Sequence, residues 1–268
     1  MINLLTFDIE EWFQANYPEV ESPNKFEHDD RLEFNVRRLL NLCERHKTRA
    51  TFFILAQTAE RYPGVILRIK ERGHEIASHG YHHALVYQQA AEEFAADLGK
   101  SLDILEGITQ EKILGYRAPS WSVFSYLEWF YKTLERNGLV YDSSLFPAKT
   151  FLFGDKQAGR FPHRINGITE FPASTLSFLG RRIPFANGFF FRFFPSFFIK
   201  MGINILNKRG QPAMICLHPR EIDAASPRLA LPRRERFIHY VNLKTAEKKL
   251  DALLRSFKFC SIKDYLFL

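Results

Sequence analysis

The chain has 268 residues, with 37 lysines and arginines against 30 aspartates and glutamates, so its net charge is +7. At 46% hydrophobic and 25% charged it can bury a sizeable core, which excludes a disordered, collagenous or coiled-coil chain. The basic balance favours anionic partners, but no dense block of lysine and arginine occurs, so nucleic acid is not expected among them.

The elements follow from spacing. Ile2–Phe7 is a short apolar run and predicts a buried strand. Asp29–Lys47 predicts a helix, with Leu32, Val36, Leu39, Leu40 and Cys43 on one face. Ala50–Leu55 predicts a second strand, Tyr62–Arg72 a helix with Pro63 near its start and Gly73 after its end, and His74–Ser78 a third strand. Gln88–Glu106 predicts a long helix closed by Gly107, Ile113–Tyr116 a fourth strand, Ser125–Asn137 a helix closed by Gly138, and Leu139–Tyr141 a fifth strand. Later the pattern loosens: Thr169–Phe171 and Ala213–Leu217 read as strands, Pro195–Lys208 and Asn242–Phe257 as helices. Alternation of strand and helix, with no internal repeat or Gly/Ser linker, predicts one parallel α/β domain over residues 1–268. A barrel is the expected form, with a C-terminal elaboration from about residue 147.

Three widely spaced cysteines, Cys43, Cys216 and Cys260, fit a reducing compartment and no disulfide framework. The first residues lack a basic stretch followed by a long apolar one, and no run of 18 apolar residues exists. A cytoplasmic chain is therefore expected. Aromatic residues are abundant, with 27 phenylalanines. Seven of them fall in Gly188–Phe198, near Arg181, Arg182, Lys200, Lys208 and Arg209. That segment is either core or an apolar face for a membrane or lipid carrier.

Polar clusters sit just after the predicted strands, at the end where parallel barrels build their active sites. Asp8-Ile9-Glu10-Glu11 follows the first strand, and strand alternation would set Asp8 and Glu10 to one side. Ser78-His79-Gly80-Tyr81-His82-His83 follows the third. If a helical turn comes there, His79 and His83 share a face and suit one metal ion. Two histidines and a carboxylate leave places open for water and substrate, as catalytic zinc requires. Arg117 follows the fourth strand and would brace a buried carboxylate. His218 ends a late strand, poised as a general acid, and Asp142 is a candidate to orient it.

Taken in order, Thr6–Glu10, His79–His83, Arg117-Ala118-Pro119-Ser120-Trp121, Tyr141-Asp142-Ser143-Ser144 and Leu217-His218-Pro219 resemble the motifs of the polysaccharide deacetylases, the NodB-homology family four carbohydrate esterases. Glu170-Phe171-Pro172, Gly188–Pro195, His218–Asp223 and Arg236–Asn242 are similar to a subgroup found with exopolysaccharide biosynthesis. The resemblance implies a distorted barrel of about seven strands. It implies Asp8 as general base braced by Arg117, one divalent ion on Glu10, His79 and His83, and His218 as general acid tuned by Asp142. Ser120, Trp121 and Leu217 are implied at the substrate, Ser120 through its backbone N–H. Most members carry Asp where this chain has Glu10 followed by Glu11, which leaves open which of the two is the ligand. The expected reaction is removal of acetate from an N-acetylated glycan, with peripheral membrane or lipid-carrier contact as a further expectation. Its rivals are hydrolysis of a ureide or cyclic imide, and a non-catalytic glycan or lipid module.

Overall fold

The computed structural model describes residues 1–14, 31–150 and 154–268. The first half supplies β1 (Ile2–Ile9), α1 (Arg31–Arg45), β2 (Thr51–Ile54), α2 (Ala56–Arg61), α3 (Pro63–Glu71), β3 (Glu75–Ser78), α4 (Ala91–Thr109), β4 (Gly115–Tyr116), α5 (Glu128–Arg136) and β5 (Tyr141–Asp142). The second supplies β6 (His163–Ile165), β7 (Ile168–Glu170), β8 (Thr175–Phe178), β9 (Arg181–Pro184), α6 (Gly188–Phe193), α7 (Ser196–Lys208), β10 (Met214–Leu217), α8 (Arg233–Tyr240), α9 (Leu243–Ser256), β11 (Lys258–Cys260) and α10 (Ile262–Leu266). The expected helix over 29–47 begins among residues outside the described ones.

Strands lie in the order β10-β1-β2-β3-β4-β5-β7-β6, curled as a half-barrel. From β10 to β7 the pairings are parallel; β6 returns antiparallel on β7, and β11 runs beside the first residues of β1. Segments from before and after residue 147 thus share one sheet. Alternation along each strand sorts side chains into two layers. Leu4, Phe53, Ala77, Tyr141, Phe171 and Met214 fill the inside of the curl. Phe7, Ile9, Phe52, Ile54 and Leu217 face outward under Leu39, Leu98 and Leu250 of the helices. Gly115 is required by the inner layer, because a Cβ there would stand 1.9 Å from the Tyr141 ring. That ring crosses the base of the curl to donate its hydroxyl to Glu75 at 2.7 Å.

One local expectation changes, and two elements were not expected. α4 runs through Gly107 and stops at Gln110, which takes a left-handed conformation. Its buried stripe of Phe94, Leu98, Leu102, Leu105 and Thr109 outweighs a glycine cost of about 1 kcal/mol. α2 has six residues, too few for a periodic signal. The β8–β9 hairpin was not read either; its turn residues Leu179 and Gly180 both have positive φ, as a tight hairpin demands.

Candidate active site

β1 carries Thr6 and Asp8 toward the inside of the curl, and Glu10 follows directly after its C-terminal end. Asp8 is buried, and its Oδ1 accepts from Arg117 Nη1 at 2.6 Å while Oδ2 accepts from the Cys216 thiol at 3.3 Å. Burial pushes the Asp8 carboxyl up, but Arg117, His79 and His218 together bring it below its ordinary value. It is thus an ionised carboxylate in a dry place.

Arg117 is fully buried and held on every side. It donates to Thr6 Oγ1 at 2.9 Å, to the Ser143 hydroxyl at 2.8 Å and to the Ser143 carbonyl at 3.1 Å. Its guanidinium carbon stands 4.0 Å from the centre of the Phe53 ring and 4.7 Å from that of Trp121. A planar cation clamped by two rings and several acceptors has one orientation, and it fixes the Asp8 rotamer.

His79 and His83 converge on Glu10 without the helical turn that the sequence suggested. The segment is an irregular loop in which Gly80 and His83 have φ of +79° and +58°. Asp97 of α4 pins it, accepting from the Tyr81 N–H at 2.8 Å and the His82 N–H at 3.2 Å. The exposed His82 ring turns to the same carboxylate and away from the site. His79 Nε2 and His83 Nε2 each lie 2.9 Å from Glu10 Oε1. Burial raises the Glu10 carboxyl, yet the neighbouring His83, His218 and His79 hold it well below the usual range. Glu11 is set apart, with its Oε1 3.7 Å from Arg61. Glu10 is therefore the carboxylate of the cluster.

This donor set fits a divalent ion. His79 Nδ1 is 2.7 Å from the Arg117 carbonyl oxygen, which can only accept, so the ring proton is on Nδ1. Nε2 is then the ring nitrogen that faces the Glu10 carboxylate, where a cation would be held between them. Glu10, His79 and His83 have their ligand atoms within 4.8 Å of one another. Two imidazoles and one carboxylate are the ligands of many catalytic zinc sites.

His218 lies across from this cluster, its Nε2 3.9 Å from both Asp8 Oδ2 and Glu10 Oε1. The carboxylate behind it is not Asp142. It is Glu221, whose Oε1 is 3.4 Å from His218 Nδ1 and whose Oε2 accepts from Arg192 Nε at 2.7 Å. Burial alone would lower the His218 pKa; Glu10, Glu221 and Asp8 outweigh it and raise it, against Arg220. The Glu221 signal was legible as an acid three residues past His218 in a Pro-initiated turn. Arg192, inside the Phe-rich segment, gave no signal.

Asp142 works elsewhere. Its Oδ1 accepts from the Ser144 hydroxyl at 2.6 Å, and that hydroxyl accepts from the Ala118 N–H at 2.8 Å. Burial pushes the Asp142 carboxyl up to about 6, and burial beside Asp142 raises the adjoining Glu170 well above its ordinary value. The pair supports the turn at Pro119–Trp121, where Ser120 and Trp121 have φ of +53° and line the active-site cavity. Leu217 does not line it. Its side chain points to the outer layer and is fully buried there, because His218 takes the inward position one residue on.

The cavity measures about 460 Å³. Asp8, Glu10, His83 and His218 form its floor, with walls of Leu85, Tyr87, Trp121, Pro184, Phe189, Phe190 and Ile238. It is thus an apolar, largely aromatic cleft over a charged floor.

Residues 25–138 match the polysaccharide deacetylase family, and residues 143–267 match a family described as a domain of unknown function, DUF3473. Among characterised proteins, the chain is 26% identical over 177 residues to a peptidoglycan-N-acetylglucosamine deacetylase of Bacillus cereus. That match covers 59% of this chain and 64% of the relative. A peptidoglycan deacetylase of Helicobacter pylori is 29% identical over 113 residues, covering 42% and 38%. The matched segments thus span less than two thirds of either relative's length. In fold, a Mycobacterium smegmatis structure of the polysaccharide deacetylase type superimposes with a TM-score of 0.66 at 19% identity, over 98% of this chain and 87% of that one. A Bacillus anthracis pseudoenzyme of the CE4 family superimposes at 0.53 and 12% identity, over 99% and 66%. The fold alone therefore does not decide activity, and the site residues must.

Proposed function

We propose, from the match of residues 25–138 to the polysaccharide deacetylase family, that this chain hydrolyses the acetamido group of N-acetylated sugars in a polysaccharide or its lipid-linked precursor. The observation that carries this reading is the closeness of four kinds of group around one cavity. These are a braced carboxylate, a metal-type ligand set, an imidazole backed by a carboxylate, and an aromatic wall.

A divalent ion of the zinc type, held by Glu10, His79 and His83, would polarise the acetyl carbonyl and a water molecule. Asp8 receives the proton of the attacking water, since Arg117 and Cys216 fix its carboxylate and keep it ionised. The Ser120 segment, bent over the cavity by two left-handed residues, offers backbone N–H to the developing oxyanion. His218 delivers a proton from Nε2 to the leaving amine nitrogen, without which the C–N bond does not break. Glu221 Oε1, 3.4 Å from the other ring nitrogen, orients the His218 ring and favours its charged form. Trp121 and the phenylalanines exclude water and offer faces on which sugar rings stack.

The aromatic walls favour a glycan over a ureide or cyclic imide, whose small polar bodies need a small polar pocket. A pure binding module needs neither base nor acid. Acetate release from N-acetylglucosamine oligomers, lipid-linked N-acetylated sugars and ureides, with and without added zinc, tests the reading. Metal-dependent acetate from the sugars alone is expected. Ring opening of a ureide, or no acetate from any sugar by zinc-loaded protein, overturns it.

A further inference from the structure

One wall of the active-site cavity does not end at the cavity. Phe189 and Ile238 line it. Outside the cleft, the Phe189 ring stacks on Phe193 at 5.4 Å and meets Phe237 edge-on at 6.1 Å. Phe193 and Phe237 are 6.4 Å apart, and they are 46% and 52% exposed. At the start of the next helix Phe197 is 70% exposed, and one turn along Met201 is 43% exposed. Of the other rings of the segment, Phe190 lines the cavity, Phe191 is fully buried, and the half-buried Phe194 and Phe198 stack on each other against the outer layer. The phenylalanine run is thus partly core and partly exposed, and the structure separates the two residue by residue.

The charge beside this patch is mainly positive. Phe237 stands on α8 between exposed Arg233, Arg234 and Arg236 on one side and the cavity-lining Ile238 on the other. Glu235 is the acid within that helix. The whole chain carries +7. Exposed large aromatic side chains ringed by arginine suit the layer where lipid headgroups meet acyl chains. There rings bury apolar area and each nearby arginine gains about 1 kcal/mol from anionic lipid.

We propose that α6, the start of α7 and α8 form a docking face for an anionic lipid bilayer, which brings the mouth of the active-site cleft to the headgroup layer. The face stands on exposure and charge and does not depend on the deacetylase reading. Should that reading hold, the substrate glycan is one presented at the membrane surface.

Sedimentation with vesicles tests it directly. The full chain should pellet with phosphatidylglycerol–phosphatidylcholine vesicles at low salt. It should stay in solution with phosphatidylcholine alone, and should release as salt approaches 0.5 M. The triple variant F193S/F197S/F237S and the triple variant R233Q/R234Q/R236Q should each lose at least tenfold in vesicle affinity with melting temperature held near that of the parent. Phe267→Ser removes an exposed ring beside α10, at the opposite end of the barrel, and should bind as the parent does. Absence of binding at low salt, or binding unchanged in both triple variants, overturns the proposal. So does light scattering that shows a lipid-free dimer dissolved by Phe197→Ser, which would assign the patch to a second copy of the chain. Acetate release plays no part in the readout, so failure here and failure of the proposed reaction are told apart.

Discussion

The two halves of the barrel furnish opposite sides of one site, and they hold their groups differently. Asp8, Glu10, His79 and Arg117, all from before residue 143, are buried, and each is fixed by partners from neighbouring strand ends. His218 comes from the half that matches the other family, and its side chain is 17% exposed. It is backed by a carboxylate in its own turn and by an arginine from the Phe-rich helix. The contrast follows from chemistry. In the proposed reaction the base and ligands would work on a small water molecule and profit from rigidity, whereas the acid would have to reach a bulky leaving sugar and would need an open side.

The largest effect that would break this division is loss of the ligands. His79→Ala or His83→Ala should remove most bound metal by elemental analysis, and nearly all activity with it. Stoichiometric metal in the double variant would show that the first half is not the metal side. Asp8→Asn should keep its metal and lose turnover by about 10³–10⁴-fold, the upper range for a positioned proton acceptor. Loss of metal in that variant would make Asp8 a ligand.

Changing the other side tests the acid. His218→Ala should retain metal and lose about 10²–10⁴-fold in kcat on an unactivated amide. A near-normal rate would remove the second half from the chemistry. Glu221 acts through His218 and sharpens the picture further. Glu221→Asp should lower kcat by about tenfold with KM unchanged, as a lost orientation does. Glu221→Gln should also cost about 3–5 kcal/mol of stability, because Arg192 is left buried without its charge partner. An equal effect of Asp142→Asn on kcat and of Glu221→Asp would restore Asp142 to the role that the resemblance gave it.

The smallest effect concerns the far end of the same strands. His74 begins the approach to β3, and its Nδ1 accepts from the Ala50 N–H at 3.2 Å, so the ring is neutral. Burial, with Arg72 and Arg49 near, lowers its pKa to about 4 from 6.5. Between those values the unfolded chain binds a proton that the folded chain refuses. Stability from this group is therefore complete above pH 6.5 and is lost as pH falls toward 4, by at most about 3 kcal/mol. Denaturant midpoints at pH 7 and pH 4.5 should draw together in His74→Asn. A parent-like fall in that variant would remove His74 as the cause.

The sequence by itself determined the parts that depend on neighbours along the chain. Strand and helix alternation, Asp8 and Glu10 on one side of a strand, and the placing of chemistry at strand ends are all periodicities of two or 3.6 residues. His79, His83, Arg117 and His218 were legible because each follows an apolar run. Tertiary structure alone decided which acid meets which base. Glu221 and not Asp142 stands behind His218, and Glu10 and not Glu11 faces the histidines, because curling of the sheet sets distances that spacing cannot express. It also decided which phenylalanines are core. A helix reads the same from within, and only the elements packed on one face tell Phe191 from Phe193.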